Sequence, residues 1–155
     1  MGHVAAQTWI LTGSPENLEA SRALGFTLVG LKERRRNQAE AMEPGDRVIH
    51  YVTRTMAFAA SLRLTGELFE DRTPVWPGKP GAADAYPWRF AAEPELVLVQ
   101  ERWLPAEAVS TRLEHIRKWP PEHWKLAFQG QIRPIGAADA AVLLEAMGAR
   151  AGAAA

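Results

Sequence analysis

Four of the five residues from Lys32 to Arg36 are cationic (Lys32-Glu33-Arg34-Arg35-Arg36), and Asn37 and Gln38 follow them. Guanidinium groups are planar forks that take phosphate oxygens two at a time, so the run fits a phosphate clamp. Spacing alone favours a solvated loop or helix face. The second group is aromatic. Six tryptophans stand in 155 residues, the one compositional oddity. Trp9 lies beside Ile10 and Leu11, where core packing is the plainer reading and contact with a ligand the other. Trp76 sits between Pro74 and Pro77 and is held stiffly. Trp88 follows Tyr86-Pro87, where a ring could line a pocket mouth. Trp124 and Phe128, four apart, fit one core-facing stripe. A flat aromatic wall beside a cationic spot suits a stacked base, worth about 1–3 kcal/mol.

Other chemistries find little support. Cysteine is absent, which excludes thiol catalysis, disulfides and Cys-ligated zinc. The histidines are His3, His50, His115 and His123. The last two are too far apart for a zinc pair one helical turn apart. There is no P-loop, no G-x-G-x-x-G and no G-x-S-x-G. No metal and no cofactor is expected.

These residues need elements to place them. Thr8–Thr12 reads as a short buried strand. Ser14 is a good N-cap, Pro15 suits the first helical position, and Glu16 favours the first turn. The helix they start ends at Gly25. Strand character follows from Phe26 to Gly30, and a short helix over Arg36–Met42. Pro44-Gly45-Asp46 is a tight turn before a strand over Arg47–Thr53. Met56–Glu70 is strand-like, with a bend at Gly66. Glu70–Pro87, with four prolines, has no periodicity and reads as a functional or disordered loop. Two strands, Trp88–Ala92 and Leu96–Val99, are expected on either side of Glu93-Pro94-Glu95. Pro105–Ile116 and Pro120–Phe128 read as helical. Asp139–Met147 is an amphipathic closing helix ended by Gly148. Five to seven short strands with short helices between them fit an α+β class with a curled or closed sheet.

The chain carries 47% apolar residues and 18 basic against 18 acidic side chains. Its length fits a single domain over 1–155, with the core at about 8–148 and a tail at 149–155 that frays. Zero net charge excludes a protein that coats nucleic acid or anionic membrane by bulk charge, though not one with a local basic patch. No apolar run approaches a membrane span and the start lacks a secretory pattern, so a cytoplasmic protein is expected.

Five stretches occur in one order: Trp9-Ile10 through Glu16-Asn17; Val29-Gly30 with the basic run to Asn37; Glu43-Pro44-Gly45-Asp46-Arg47-Val48; Tyr86-Pro87-Trp88-Arg89; and His123-Trp124 through Phe128-Gln129-Gly130. In that order, from about Thr8 to Met147, the chain resembles the EVE domain family, in its small stand-alone prokaryotic branch. That family is PUA-like and related to YTH domains. The resemblance implies a mixed PUA-like β-barrel with helices packed around it. It also implies a pocket for a nucleobase, modified in character, in RNA or flipped from DNA. Carried over by position, Ser14 and Asn17 read the base edge. Gly30 and Lys32 border the pocket, and Trp76, Tyr86 and Trp88 form its walls. Arg34, Arg36 and Asn37 hold flanking phosphates. Trp9 and Val29 stand among the candidate contacts too. Val29 occupies a place where relatives often carry tryptophan, and a valine has no π face.

Three readings stay open on the sequence. The first is a module binding a modified base or free nucleoside. The second is a small-molecule or protein-binding module. The third is a hydrolase or nuclease using Lys32 or Glu33, if burial shifts a pKa there.

Overall fold

The computed structural model describes residues 6–78, 81 and 83–152. Strand β1 (Thr8–Gly13) leads into helix α1 (Pro15–Ala23). Ser14 caps that helix through its hydroxyl, which accepts the Asn17 N–H, and Pro15 takes the first helical position, where its missing N–H costs nothing. Gly25, at φ 66°, turns the chain out of it. Strand β2 (Leu28–Leu31) follows, then a 3₁₀ turn over Glu33–Arg35 and the short helix α2 (Arg36–Glu40). The expected turn at Pro44-Gly45-Asp46 is present, with Gly45 at φ 95°. Asp46 secures it by accepting the Glu43 and Gln7 N–H groups and the Trp9 indole N–H.

Strand β3 (Arg47–Val52) runs parallel to β1 and antiparallel to β4 (Ala57–Leu64). Residues 48–52 are all buried, as in a central strand covered on both faces. The remaining strands are β5 (Phe69–Glu70), β6 (Trp88–Val97), β7 (Leu104–Pro105) and β8 (Ile132–Ile135). Helix α3 (Ala137–Gly152) closes the described chain.

The sheet is mixed, in the order β2-β6-β4-β3-β1-β8, with β5 on β6 and β7 on β4. It curls into a half-barrel whose open seam lies between β2 and β8. One side chain bridges that seam: Gln131 accepts the Lys32 N–H at 2.8 Å and donates to the Gly30 carbonyl at 3.5 Å. The class is thus α+β, with two of the eight strands only two residues long. No helix among the described residues is long and apolar enough to cross a membrane.

The structure corrects several expected boundaries. Met56–Glu70 is two strands, β4 and β5, separated at residues 65–68. The two strands expected around Pro94 are one, β6. A register shift opposite Ser61 and Leu62 leaves Glu95 as an extra residue, and this irregularity accommodates a proline that cannot donate to the ladder. Pro105–Ile116 is not an α-helix. It forms separate 3₁₀ turns at Ala106–Ala108, Ser110–Arg112 and Ile116–Lys118. The core takes Ala106, Val109, Leu113 and Ile116 at helical spacing, but the backbone leaves the helix between them, at Val109 (φ -120°, ψ 1°) and at the extended Leu113 (φ -99°, ψ 124°), so a helix-period pattern is met by separate turns. Pro121–Phe128 is likewise 3₁₀, kinked at His123. Helix α3 continues past Gly148 to Gly152. Met147 is buried beneath it, Ala151 packs on the core, and Arg150 donates to the Arg102 carbonyl at 2.7 Å. These contacts hold a turn that a mid-helix glycine weakens by only about 1 kcal/mol.

Candidate functional site

The carboxyl ends of β1 and β3 open side by side, because the two strands are parallel. The seam between β2 and β8 lies next to them. An open cleft of about 500 Å³ occupies this end of the half-barrel. That volume falls within the range of about 300–1,000 Å³ found for ligand pockets. Tyr51, Tyr86 and Phe128 contribute rings to its lining, and Thr12, Ser14, Asn17, Gln129 and Gln131 contribute polar groups. Among the described residues four cations also line it (Lys32, Arg34, Arg54 and Lys125) and no acid does. Beneath the cleft, between α1 and β2, lies an inner chamber of about 30 Å³. It has room for about one or two waters.

The chamber is small because Trp76 fills it. The indole lies against Gly30, where a Cβ would stand 2.3 Å from the ring. Its N–H donates to Ser21 Oγ at 2.9 Å, and its ring meets Tyr86 edge-on with centroids 5.8 Å apart. Asn17 holds the covering segment by both ends of its amide. Nδ2 donates to the Tyr86 hydroxyl at 3.0 Å, and Oδ1 accepts the Gly78 N–H at 2.9 Å. Below them the buried guanidinium of Arg89 donates to the carbonyls of Thr73, Ala85 and Tyr86. The described residues of segment 71–87 are therefore anchored without regular secondary structure.

Hydrogen-bonding capacity decides which groups can read a ligand edge. Asn17 is committed to the covering segment. Ser14 has spent an acceptor site on its helix but keeps its hydroxyl proton. Thr12 donates to the Phe128 carbonyl at 3.0 Å and keeps acceptor lone pairs. Burial pushes the Tyr51 phenol up to about 12, so it remains a neutral group at physiological pH. Its ring stacks on Phe128 with centroids 4.7 Å apart. Three of the four non-glycine residues with positive φ among those described, Arg54, Met56 and Tyr86, line the cleft. Such strain concentrates where a structure holds side chains for a purpose.

The sequence candidates fall into two sets. Ser14, Asn17, Lys32, Arg34 and Tyr86 line the cleft, while Val29, Gly30 and Trp76 line the chamber beneath it. Trp9, Trp88, Arg36 and Asn37 lie outside both. Trp9 is buried and its indole N–H donates to Asp46. Trp88 donates to the Glu33 carbonyl at 2.8 Å and lies under Arg36, whose guanidinium carbon stands 5.0 Å from the ring centre. Arg36 also pairs with Glu40 at 3.3 Å, and Asn37 is exposed. Glu33 does not line the cleft, and its carboxylate pairs with Arg72 at 2.8 Å.

Residue-by-residue reading missed Thr12, Tyr51, Arg54, Lys125, Gln129 and Gln131. The stretch from Phe128 to Gly130 carried a usable signal for Gln129.

His50, on β3, also lines the chamber. Its Nε2 is buried without a partner, and burial pushes its pKa down to about 4. The unfolded chain takes up that proton near 6.5, so it binds more protons than the fold below that pH. Stability is therefore expected to fall as pH drops from 6.5 to 4, by about 3 kcal/mol from this group. His115, shifted down mainly by burial, acts in the same direction. Urea melts of wild type and His50→Leu across this range check it. The variant should lose most of the slope, and an unchanged slope would rule His50 out.

The geometry agrees with the likeness to solved structures. Over 95% of this chain and 91% of that one, the fold matches the YTH domain of Zygosaccharomyces rouxii MRB1, solved in complex with N6-methyladenosine RNA, with a TM-score of 0.66 at 15% identity. It also matches Rpa0253 from Rhodopseudomonas palustris (TM-score 0.60, 15% identity, 93% of this chain and 94% of that one). A third match is a protein from Pseudomonas putida (TM-score 0.59, 17% identity, 90% and 99%). Identities this low establish a shared fold. No curated protein matches by sequence. The family model for the EVE domain matches residues 7–146, nearly the whole chain, and so the protein belongs to the EVE domain family.

Proposed function

We propose that the cleft binds a single modified nucleobase presented by a nucleic-acid strand. One observation carries the reading: an open cleft whose lining includes three aromatic rings and two side-chain amides, bordered among the described residues by four cations and no acid. Tyr51, Phe128 and Tyr86 supply rings for stacking or edge contact. Gln129, Gln131, Ser14 and Thr12 offer donors and acceptors to a base edge. Lys32, Arg34 and Lys125 face the strand. Arg54 is partly engaged, because its guanidinium pairs with Glu16. With zero net charge on the chain, few phosphates can be neutralised, so discrimination has to arise inside the cleft. The YTH domain of matching fold is bound to N6-methyladenosine RNA, which makes a methylated adenine the first base to try.

The test is a titration of short single-stranded RNA and DNA, each with one central modified base, against its unmodified twin, followed by tryptophan fluorescence. At least one modified strand should bind about tenfold or more tighter than its twin, about 1.4 kcal/mol. Its affinity should also fall with salt. Equal binding of every pair would overturn the proposal.

A further inference from the structure

Arginine pairing is uneven in this molecule. Among the described residues, seven arginines sit within 4.0 Å of a carboxylate. Of the others, Arg34, Arg35 and Arg133 lie together. Arg35 and Arg133 converge from different elements on one point, the space a side chain at Gly130 would fill. The Arg35 guanidinium comes within 3.6 Å of that point and Arg133 Nε within 3.7 Å. Gly130 stands at φ 86°, a conformation suited to glycine, and keeps the space open. The Arg35 Nε–H is buried and makes no hydrogen bond. Burial and the neighbouring charges of Arg34 and Arg133 lower the Arg35 pKa, the cost expected of cations brought together without a counter-charge. Arg133 is fixed in place. Its Nε donates to the Gln129 carbonyl, and its guanidinium carbon lies 5.7 Å from the Trp119 ring centre. Folding alone gives no reason to gather these charges. A bound anion would supply one.

We infer that Arg35 and Arg133, facing each other across Gly130, form a seat for one backbone phosphate of the strand. Gly130 also lines the cleft, so the seat adjoins the base site and sets which neighbour of the recognised nucleotide the protein holds. This rests on the base-binding reading for its ligand, and it adds where the strand beside that base is held. The seat differs from a clamp made by the basic run alone. Arg35 comes from the 3₁₀ turn after β2 and Arg133 from β8, so one anion would tie the open seam from both edges.

The experiment has two arms. In the first, arginine Nε–Hε signals are followed by NMR as inorganic pyrophosphate is added to the intact protein. The Arg35 and Arg133 signals should shift together and saturate. No shift in either overturns the seat. In the second, binding of a single-stranded oligonucleotide is measured against salt for wild type, Arg35→Gln, Arg133→Gln and Arg22→Gln. Each seat variant should flatten the log–log salt slope by about 0.7, the value for one lost contact on a single strand. Arg22→Gln should leave the slope alone. Melting temperature separates roles: a merely structural arginine would lower it when replaced, whereas Arg35→Gln should leave it level or raise it. If slopes stay at wild type while modified strands are still preferred, the seat is wrong and base recognition stands. If pyrophosphate still shifts both signals while no modified strand is preferred, the seat stands and base recognition falls.

Discussion

Arg89→Met is expected to destabilise the protein by about 3 kcal/mol and to release segment 71–87 from the core. Arg89 is 1% exposed and is the largest fully buried side chain among the described residues. Nearly all of its bonding capacity goes to one irregular segment. Nε donates to the Tyr86 carbonyl at 3.1 Å, and one terminal nitrogen donates to the Thr73 and Ala85 carbonyls. The other lies 3.6 Å from Asp71, and the guanidinium carbon stands 5.3 Å from the Trp76 ring centre. Methionine fills similar volume but donates nothing. Three carbonyls lose a charged donor, and hydrogen bonds to charged groups contribute about 1.5–3 kcal/mol each. The net loss stays below the sum of these because removing the guanidinium also removes the cost of burying its charge.

At this chain length the loss corresponds to a fall in melting temperature of about 6–12 °C, readable by calorimetry. Hydrogen exchange locates it. The Gly78 and Tyr86 amides, each bonded to a side chain, should exchange faster, while β3 and β4 amides keep their rank order. Arg89→Lys should recover less than half, since one ammonium cannot reproduce a planar fork that reaches three carbonyls. A melting temperature within 1–2 °C of wild type for the methionine variant would show that the segment is held by something else.

Arg89 also shows what the sequence could and could not disclose. Within Tyr86-Pro87-Trp88-Arg89 it carries the family resemblance, but nothing local says that the charge points inward. Its partners lie up to 18 residues back in a segment without periodicity. Boundaries set by short-range chemistry were readable. The Ser14-Pro15 start of α1, its end at Gly25 and the Pro44-Gly45 turn each depend on one residue's own backbone preference. Boundaries set by tertiary contact were not. Pro94 argues locally for a break, yet β6 runs through it because the partner strand absorbs the irregularity. Gly148 argues for a helix end, yet Arg150 finds a carbonyl 48 residues away.

The site divides along the same line. Ser14, Asn17, Gly30 and Tyr86 sit in ordered motifs and were reached through them. Gln131 was not, because its two bonds span 99 and 101 residues and exist only once the seam between β2 and β8 has formed. Tyr51 reads as an ordinary strand residue. The parallel pairing of β1 with β3 brings it into the lining of the cleft. The basic run was legible as charge but not as geometry. A 3₁₀ turn and the start of α2 send Arg34 to the cleft, Arg35 to the seam and Arg36 over Trp88.

The coupling of Trp76 to Gly30 gives the second large effect. Trp76→Ala removes a buried indole that is hydrogen-bonded to Ser21 and seated on Gly30, and is expected to cost about 3–5 kcal/mol. Gly30→Ala places a methyl where the indole stands and is expected to cost about 1–3 kcal/mol as overpacking. Gly30 needs no left-handed backbone, so its penalty is steric alone. Together the two changes should not add. With the indole gone the methyl enters the vacated space, and Gly30→Ala becomes neutral or slightly stabilising by restricting the unfolded chain. The double-mutant cycle, read from urea melts at neutral pH, should therefore return a coupling of about 1–3 kcal/mol. Additive costs would mean that the indole does not rest on Gly30. Ligand affinity should weaken in Trp76→Ala as well, because Tyr86 in the cleft lining loses the ring that backs it edge-on. Tighter binding in that variant would instead mark the indole as a plug that the base must displace.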